Sequence, residues 1–338
     1  SYAQVASGSW EMYGVVYNTV DGDLQLSGGA FNAFDISTAV YSQNFSVEAQ
    51  DDAPRGIAFN ADGTKMFIVG DVGDDVNEYT LSTGFNVSTS SFVDSFSVNA
   101  QDTQPTGIAF NIDGTKMFVV GNSGQDINEY TLSTGFDVST ASFVDAFSVS
   151  SQETSPRGVA FNTNGTKMFV VGDAGDDVNE YTLSTGFDVS TASFVDAFSI
   201  SAQETLPYDL TFNTDGTKMF IAGIAGQAID EYTLSTGFDV STSVYSQSFS
   251  VASQDTQPTG IAFNTDGSKM FFVGNISFNV NEYSIGTTAI PTGYQPVHTT
   301  ASTDTTYWTD INSMTADQAA GDGNVYYAIS TDDRTTWT

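Results

Sequence analysis

No cysteine occurs among the 338 residues, and there is a single histidine, His298. Disulfides, thiolate catalysis and cysteine-held zinc are therefore excluded. A serine triad or a histidine metal site would have to rest on His298 alone, which reads instead as an ordinary loop residue. Bases are scarce as well: 8 Lys and Arg stand against 41 Asp and Glu, a formal net charge of -33. The acids are an ordinary share of the chain, so the imbalance comes from missing bases, and serine and threonine fill the gap. So negative a chain repels phosphate backbones and anionic headgroups, which predicts no nucleic-acid partner and no membrane-surface binding. No apolar run approaches a bilayer span and no charged-then-apolar leader opens the chain, so a soluble protein without membrane insertion is expected. With 40% hydrophobic and 13% aromatic residues, a substantial core is within reach.

What the chain has in abundance is repetition. Gly56-Ile-Ala-Phe-Asn60 recurs from Gly107, Gly158, Asp209 (as Asp-Leu-Thr-Phe-Asn) and Gly260, every step being 51 residues. The same step carries Lys65-Met-Phe67 to Lys116, Lys167, Lys218 and Lys269, and Glu78-Tyr79 to Glu129, Glu180, Glu231 and Glu282. Within a copy, four short runs rich in β-branched and aromatic residues (56–60, 65–70, 76–82 and 92–98) are separated by turn chemistry, and no helical period persists. Asp62-Gly63 is a hairpin signal, because glycine tolerates the positive φ of a tight turn.

Four antiparallel strands per repeat of this length predict the blade of a β-propeller in an all-β chain. A second strand that is apolar on both faces fits a blade stacked between two neighbours. A β-solenoid is the competing architecture, but it would leave open edges and uncapped ends. The phase of the repeat suggests the closure. A fourth-strand sequence at 40–47 precedes the first complete copy, and the last copy breaks off after its third strand near 280–285, so pairing these two gives five blades. Residues 12–17 and 23–27 faintly resemble second and third strands, which leaves a sixth, composite blade as the alternative. The expected organisation is an N-terminal segment at 1–30, a propeller at 31–285 and a small β-rich C-terminal extension at 286–338.

The repeat Pro105-Thr-Gly-Ile-Ala-Phe-Asn-Ile-Asp-Gly-Thr-Lys-Met-Phe-Val-Val-Gly, followed by Asn128-Glu-Tyr-Thr-Leu-Ser-Thr-Gly-Phe, resembles propeller repeats of proteins from marine phages and bacteria. The tail with Tyr326-Tyr-Ala-Ile-Ser-Thr-Asp-Asp-Arg-Thr-Thr-Trp337 is similar to segments of phage tail fibres and other large virion or surface proteins. Its last part, from Ser330, resembles the Asp-box hairpin with Arg334 in place of the usual glycine. Because the chain stops one residue after Trp337, a longer parent protein is expected. The resemblance implies an extracellular or virion location, a structural or adhesive role, and other virion or surface subunits, glycans or a host cell surface as partners. It brings no functional residues with it.

Comparing the five copies with one another separates two kinds of connection. The link from first to second strand (Asp62-Gly-Thr-Lys65 and its equivalents) and the link from third to fourth strand are nearly constant. The link from second to third strand varies, and so does the residue after the loop proline: Arg55, Thr106, Arg157, Tyr208 and Thr259. In an up-and-down blade these variable positions share one face. Arg55, Arg157, Tyr208 and Phe278 are therefore candidate ligand contacts, weighed against simple drift of unpacked loops.

The variable face should also be acidic. Asp51, Asp102, Glu153, Glu204 and Asp255 each follow an invariant Gln, and nearby loops add Asp71, Asp74, Asp75, Asp173, Asp176 and Asp177. The six loop aspartates could hold Ca²⁺ through convergent oxygens; the bland alternative is a solvated acidic rim. The repeated Lys65 and Glu78 series read as structural, since an active site is needed once. The leading expectation is a non-catalytic structural or adhesive propeller, with shallow glycan pockets between blades using Tyr79-type aromatics as one mode and core packing as an equal explanation of those tyrosines. The alternative is a calcium-dependent, lactonase-like hydrolase on the acidic face.

Overall fold

The computed structural model describes residues 33–286 in full, together with the backbone of two short strands, Val15–Tyr17 and Leu24–Leu26. The predicted C-terminal strands, the Asp-box-like segment with Arg334, and His298 lie outside the described residues. The chain divides into two compact units, one of Ser1–Gly28 with Ile290–Thr338 and one of Gly29–Ala289. In the first, the two short strands pair antiparallel with each other in a sheet of their own. They are not the second and third strands of a sixth blade.

The second unit is a five-bladed β-propeller, each blade a four-stranded antiparallel sheet. In blade 1 the strands, from the axis outward, are Pro54–Phe59, Lys65–Gly70, Asp75–Leu81 and Ser90–Ser97. Blades 2 to 4 repeat this order, with inner strands Pro105–Phe110, Pro156–Phe161 and Pro207–Phe212. Blade 5 takes Pro258–Phe263, Lys269–Gly274 and Asn279–Ser284 from the end of the repeat region and its outer strand, Val40–Ser46, from the beginning. That strand pairs Val280 with Phe45 and Ser284 with Val40, and it carries the same bulge after the glutamate as the other blades.

The alternation of the second strand explains how the blades stack. Successive side chains point to opposite faces of a sheet, and both faces here meet protein. Met66 and Ile68 pack into the core shared with blade 5, beside Phe271, Val273 and Val280. Phe67 and Val69 pack into the core shared with blade 2, beside Met117, Val119 and Tyr130. All four are fully buried, and each such side chain contributes roughly 1.5–3 kcal/mol on burial. Tyr79 and its counterparts Tyr130, Tyr181, Tyr232 and Tyr283 are at most 2% exposed. They are core residues, and the expectation of glycan pockets built on them is overturned; burial also pushes their hydroxyls up in pKa.

The repeated ion pair is a latch between blades. Lys65 Nζ donates to Glu78 Oε1 at 2.7 Å and to the Phe136 carbonyl of blade 2, while Glu78 Oε2 accepts the Val138 amide at 3.0 Å. The same pattern ties Lys116 and Glu129 to Phe187 and Val189, and Lys269 and Glu282 to Phe85 and Val87. Each latch therefore satisfies two backbone groups of the adjoining blade that would otherwise be buried without partners. Phe85 sits at positive φ (54°), and its ring occupies the space that a Cβ on Gly63 would need, so the Asp62-Gly63 turn has a packing reason for glycine as well as a conformational one.

Around the axis the inner strands approach backbone to backbone. A Cβ added to Gly107 would lie 2.6 Å from the Arg157 carbonyl oxygen and 3.0 Å from Gly158 Cα. Neither atom belongs to a side chain that could swing away. Gly107→Ala is accordingly expected to destabilise by about 2–3 kcal/mol, as overpacking does, measured as a lower urea midpoint; an unchanged midpoint would mean that the inner strands are not in such close contact.

Candidate functional site

The repeat makes four of the five residues at this innermost position glycine, and the variable residue just before each stands at the mouth of the axis. Thr106 and Thr259 are buried there, donating to the Pro156 carbonyl at 3.3 Å and the Pro54 carbonyl at 3.0 Å. The other three converge. The guanidinium of Arg157 lies 4.8 Å and that of Arg55 lies 5.8 Å from the centre of the Tyr208 ring. Arg55 Nη2 pairs with Asp71 at 2.7 Å, and Arg157 Nη2 with Asp173 at 2.8 Å, the arginine side chains being only 16% and 17% exposed. Each cation is thus held by a carboxylate on one side and by an aromatic ring on the other, the ring contact contributing roughly 0.5–2 kcal/mol. Arg157 Nε and Asp71 Oδ1 are buried without a partner.

Three of the four predicted ligand contacts, drawn from blades 1, 3 and 4, therefore meet at one point. Phe278 does not join them. It occupies the turn between second and third strands of blade 5 at positive φ (53°), and its carbonyl accepts the Val47 amide at 2.9 Å.

Beneath this cluster lies a feature that the sequence pattern does not single out. The residue after Tyr208 is Asp209, where the other blades have glycine. Its carboxyl is buried at the axis, Oδ1 accepting the Leu210 amide and Oδ2 the Ile261 amide of blade 5, each at 2.9 Å. Burial raises its pKa to about 8 against the lowering effect of these two amides. It stands in the wall of an axial cavity of about 320 Å³, lined by aliphatic and phenyl side chains of the inner strands together with Thr211, Asn213 and Phe238. Exposed Thr163 and Thr214, in the turns from first to second strand, border the cavity. The opening is thus on the constant face, and Asp209 stands toward the opposite end.

The predicted acidic rim is overturned. Asp51, Asp102, Glu153, Glu204 and Asp255 are at most 4% exposed. Glu153 illustrates what these acids bind: it accepts the amides of Ser155 at 2.6 Å, Ala174 at 3.2 Å and Gly175 at 3.2 Å, tying the segment that enters the blade to the loop between second and third strands. Glu204 and Asp255 hold their loops through three amides each in the same way. Asp51 departs from this: it keeps only the Ala53 amide, its Oδ2 has no partner, and burial, helped by Asp75 and Asp71, lifts its pKa to about 7.

The six aspartates considered for calcium fall in two loops, three in blade 1 and three in blade 3. Asp71 and Asp173 face the arginines. Asp74 accepts from Asn99, and Asp75 and Asp177 accept from Asn77 and Asn179 at 2.7 and 2.6 Å, while Asp176 has one buried oxygen without a partner. Burial raises the pKa of Asp75 and of Asp177. Among the described residues no group of three or more His, Cys, Asp or Glu side chains is arranged to hold a metal ion.

No protein-family model and no curated protein matches the chain. Among solved structures, it is similar to a functionally unknown protein of Desulfotomaculum acetoxidans, with 14% identity, a TM-score of 0.40 and coverage of 65% of this chain and 62% of that one, so it spans under two thirds of that relative's length. Virginiamycin B lyase from Staphylococcus aureus aligns with 14% identity, a TM-score of 0.44 and coverage of 72% of this chain and 98% of the lyase. The β-propeller domain of Myceliophteria thermophila Cps50 (Swd1) aligns with 7% identity, a TM-score of 0.41 and coverage of 73% and 99%.

Proposed function

We propose that the chain is a non-catalytic propeller module, displayed outside the cell or on a virion among other surface subunits, that acts as a structural spacer and adhesive element. Its contact with a glycan or host surface would run through the axial part of the variable face. The observation that carries this reading is the convergence of Arg55, Tyr208 and Arg157 from three blades, in a molecule whose repeated polar groups are bonded within or between blades. A half-buried tyrosine held between two guanidiniums offers an aromatic face and oriented N–H donors, the residue types that dominate recognition hot spots. A neutral sugar presents the matching apolar ring face and hydroxyl acceptors.

A glycan array with the full chain is the test. Binding to one or a few neutral glycans is expected, and Tyr208→Thr, which installs the residue of blades 2 and 5, should abolish it while unfolding stays cooperative and stability falls by no more than the roughly 1–4 kcal/mol of the two ring contacts. Absence of binding to every glycan and to host cells would remove the adhesive role and leave only the spacer.

A further inference from the structure

We infer that the axial cavity is a second binding site, separate from the variable face, for a small organic ammonium ion: a compact apolar body carrying a protonated amine that pairs with Asp209. Four observations lead there. The cavity, about 320 Å³, lies at the lower end of the range that takes small ligands. Ile57, Ile108, Val159 and Ile261, from four different blades, give it an apolar wall beside the polar Thr163, Thr211, Asn213 and Thr214. Only one acid lines it, at the one inner position where the repeat departs from glycine. And Asp209 makes no ion pair with any Lys or Arg among the described residues.

A buried carboxylate is costly without a counter-charge, and two amide donors relieve only part of that cost, so the free site holds its proton up to about pH 8 and releases it to the medium when an ammonium ion binds. An ammonium group supplies the missing charge and donors for the remaining lone pairs, while its hydrocarbon part displaces water from the aliphatic wall. The formal charge of -33 draws cations toward the protein. The two arginines stand beyond Asp209 on the variable face, so a cation enters through the constant face, bordered by threonines.

The test uses the full chain, titrated calorimetrically at physiological salt with benzylammonium chloride and, as its neutral match, benzyl alcohol. One benzylammonium ion per chain is expected to bind, with benzyl alcohol weaker by roughly tenfold or more. Asp209→Gly restores the residue of the other four blades, and Asp209→Asn keeps the shape; both should weaken benzylammonium by roughly tenfold or more. Thr163→Trp, in an exposed turn that borders the cavity, should weaken both ligands by obstructing its mouth. Equal affinity for the two ligands, unchanged affinity in Asp209→Gly, no saturable binding, or many weak sites abolished by salt would each overturn the inference.

Discussion

A chain lacking residues 1–46 is expected to lose cooperative unfolding altogether. The deletion removes the outer strand of blade 5, Val40–Ser46, and with it the covalent tie by which that blade leads into blade 1. It also removes Phe34 and Ile36, which are buried against Phe220, Phe263 and Ile285, and the Phe34 carbonyl that accepts Lys218 Nζ at 3.0 Å. Two such side chains and the packing of Phe45 against Tyr79 account for roughly 6 kcal/mol. The exposed edge of the strand Asn279–Ser284 adds an aggregation-prone face. A domain has only about 5–15 kcal/mol in hand. Circular dichroism melts and size-exclusion chromatography should therefore show a broad transition and aggregated material, and a synthetic peptide of residues 33–46 added in trans should restore the sharp transition. A truncated chain that still melts cooperatively as a monomer would show that the inner strands close the ring by themselves.

The second large effect concerns pH. Asp209 titrates near 8 in the folded chain and near 3.9 when unfolded, so between these values the folded state holds a proton that the unfolded state has lost. Stability is then highest at or below about pH 4, falls as pH rises, and levels off above about pH 8, the total from this group being on the order of a few kcal/mol. Asp51, at about 7, and Asp230, at about 6, act in the same direction over narrower windows. Asp209→Gly should be more stable than the parent at pH 9 by a margin that shrinks progressively toward pH 4. Urea titrations of both proteins across this range isolate the Asp209 contribution, because the other two carboxyls are common to them. A margin that does not change with pH would place the Asp209 carboxyl in contact with solvent.

Much of the architecture is legible in the sequence because five copies recur without insertion or deletion. A strand boundary that is ambiguous in one copy is settled when the same residues return 51 positions on, and the early fourth-strand sequence needs a partner that only the last copy lacks. Lys65 and Glu78 read as structural for a related reason: a residue repeated in every blade meets the same neighbours in every blade. The tyrosines and the acid after each Gln are harder to place because local context describes them poorly. Tyr79 alternates with polar neighbours, yet both faces of its strand lie between blades. Glu153 follows polar residues and looks solvated, yet the loop carrying Ala174 and Gly175 folds over it and presents its amides. Arg55, Arg157 and Tyr208 stand out by their variation, whereas Asp209 shows only that one glycine has changed.

The amino-acid sequence by itself determined the four-stranded blade and the 51-residue repeat and favoured closure by the early fourth strand, because period-two patterning, turn residues and a constant repeat length are local properties; the structure decided for five blades over six. Only the tertiary structure decided what the variable residues face. Closure of the ring brings positions from separate blades to one axis, and burial there turns a glycine-to-aspartate change into a carboxyl without a counter-charge in the wall of the axial cavity. Proximity across the ring, and the desolvation that follows from it, is fixed by the packing of all five blades together and by no single copy of the repeat.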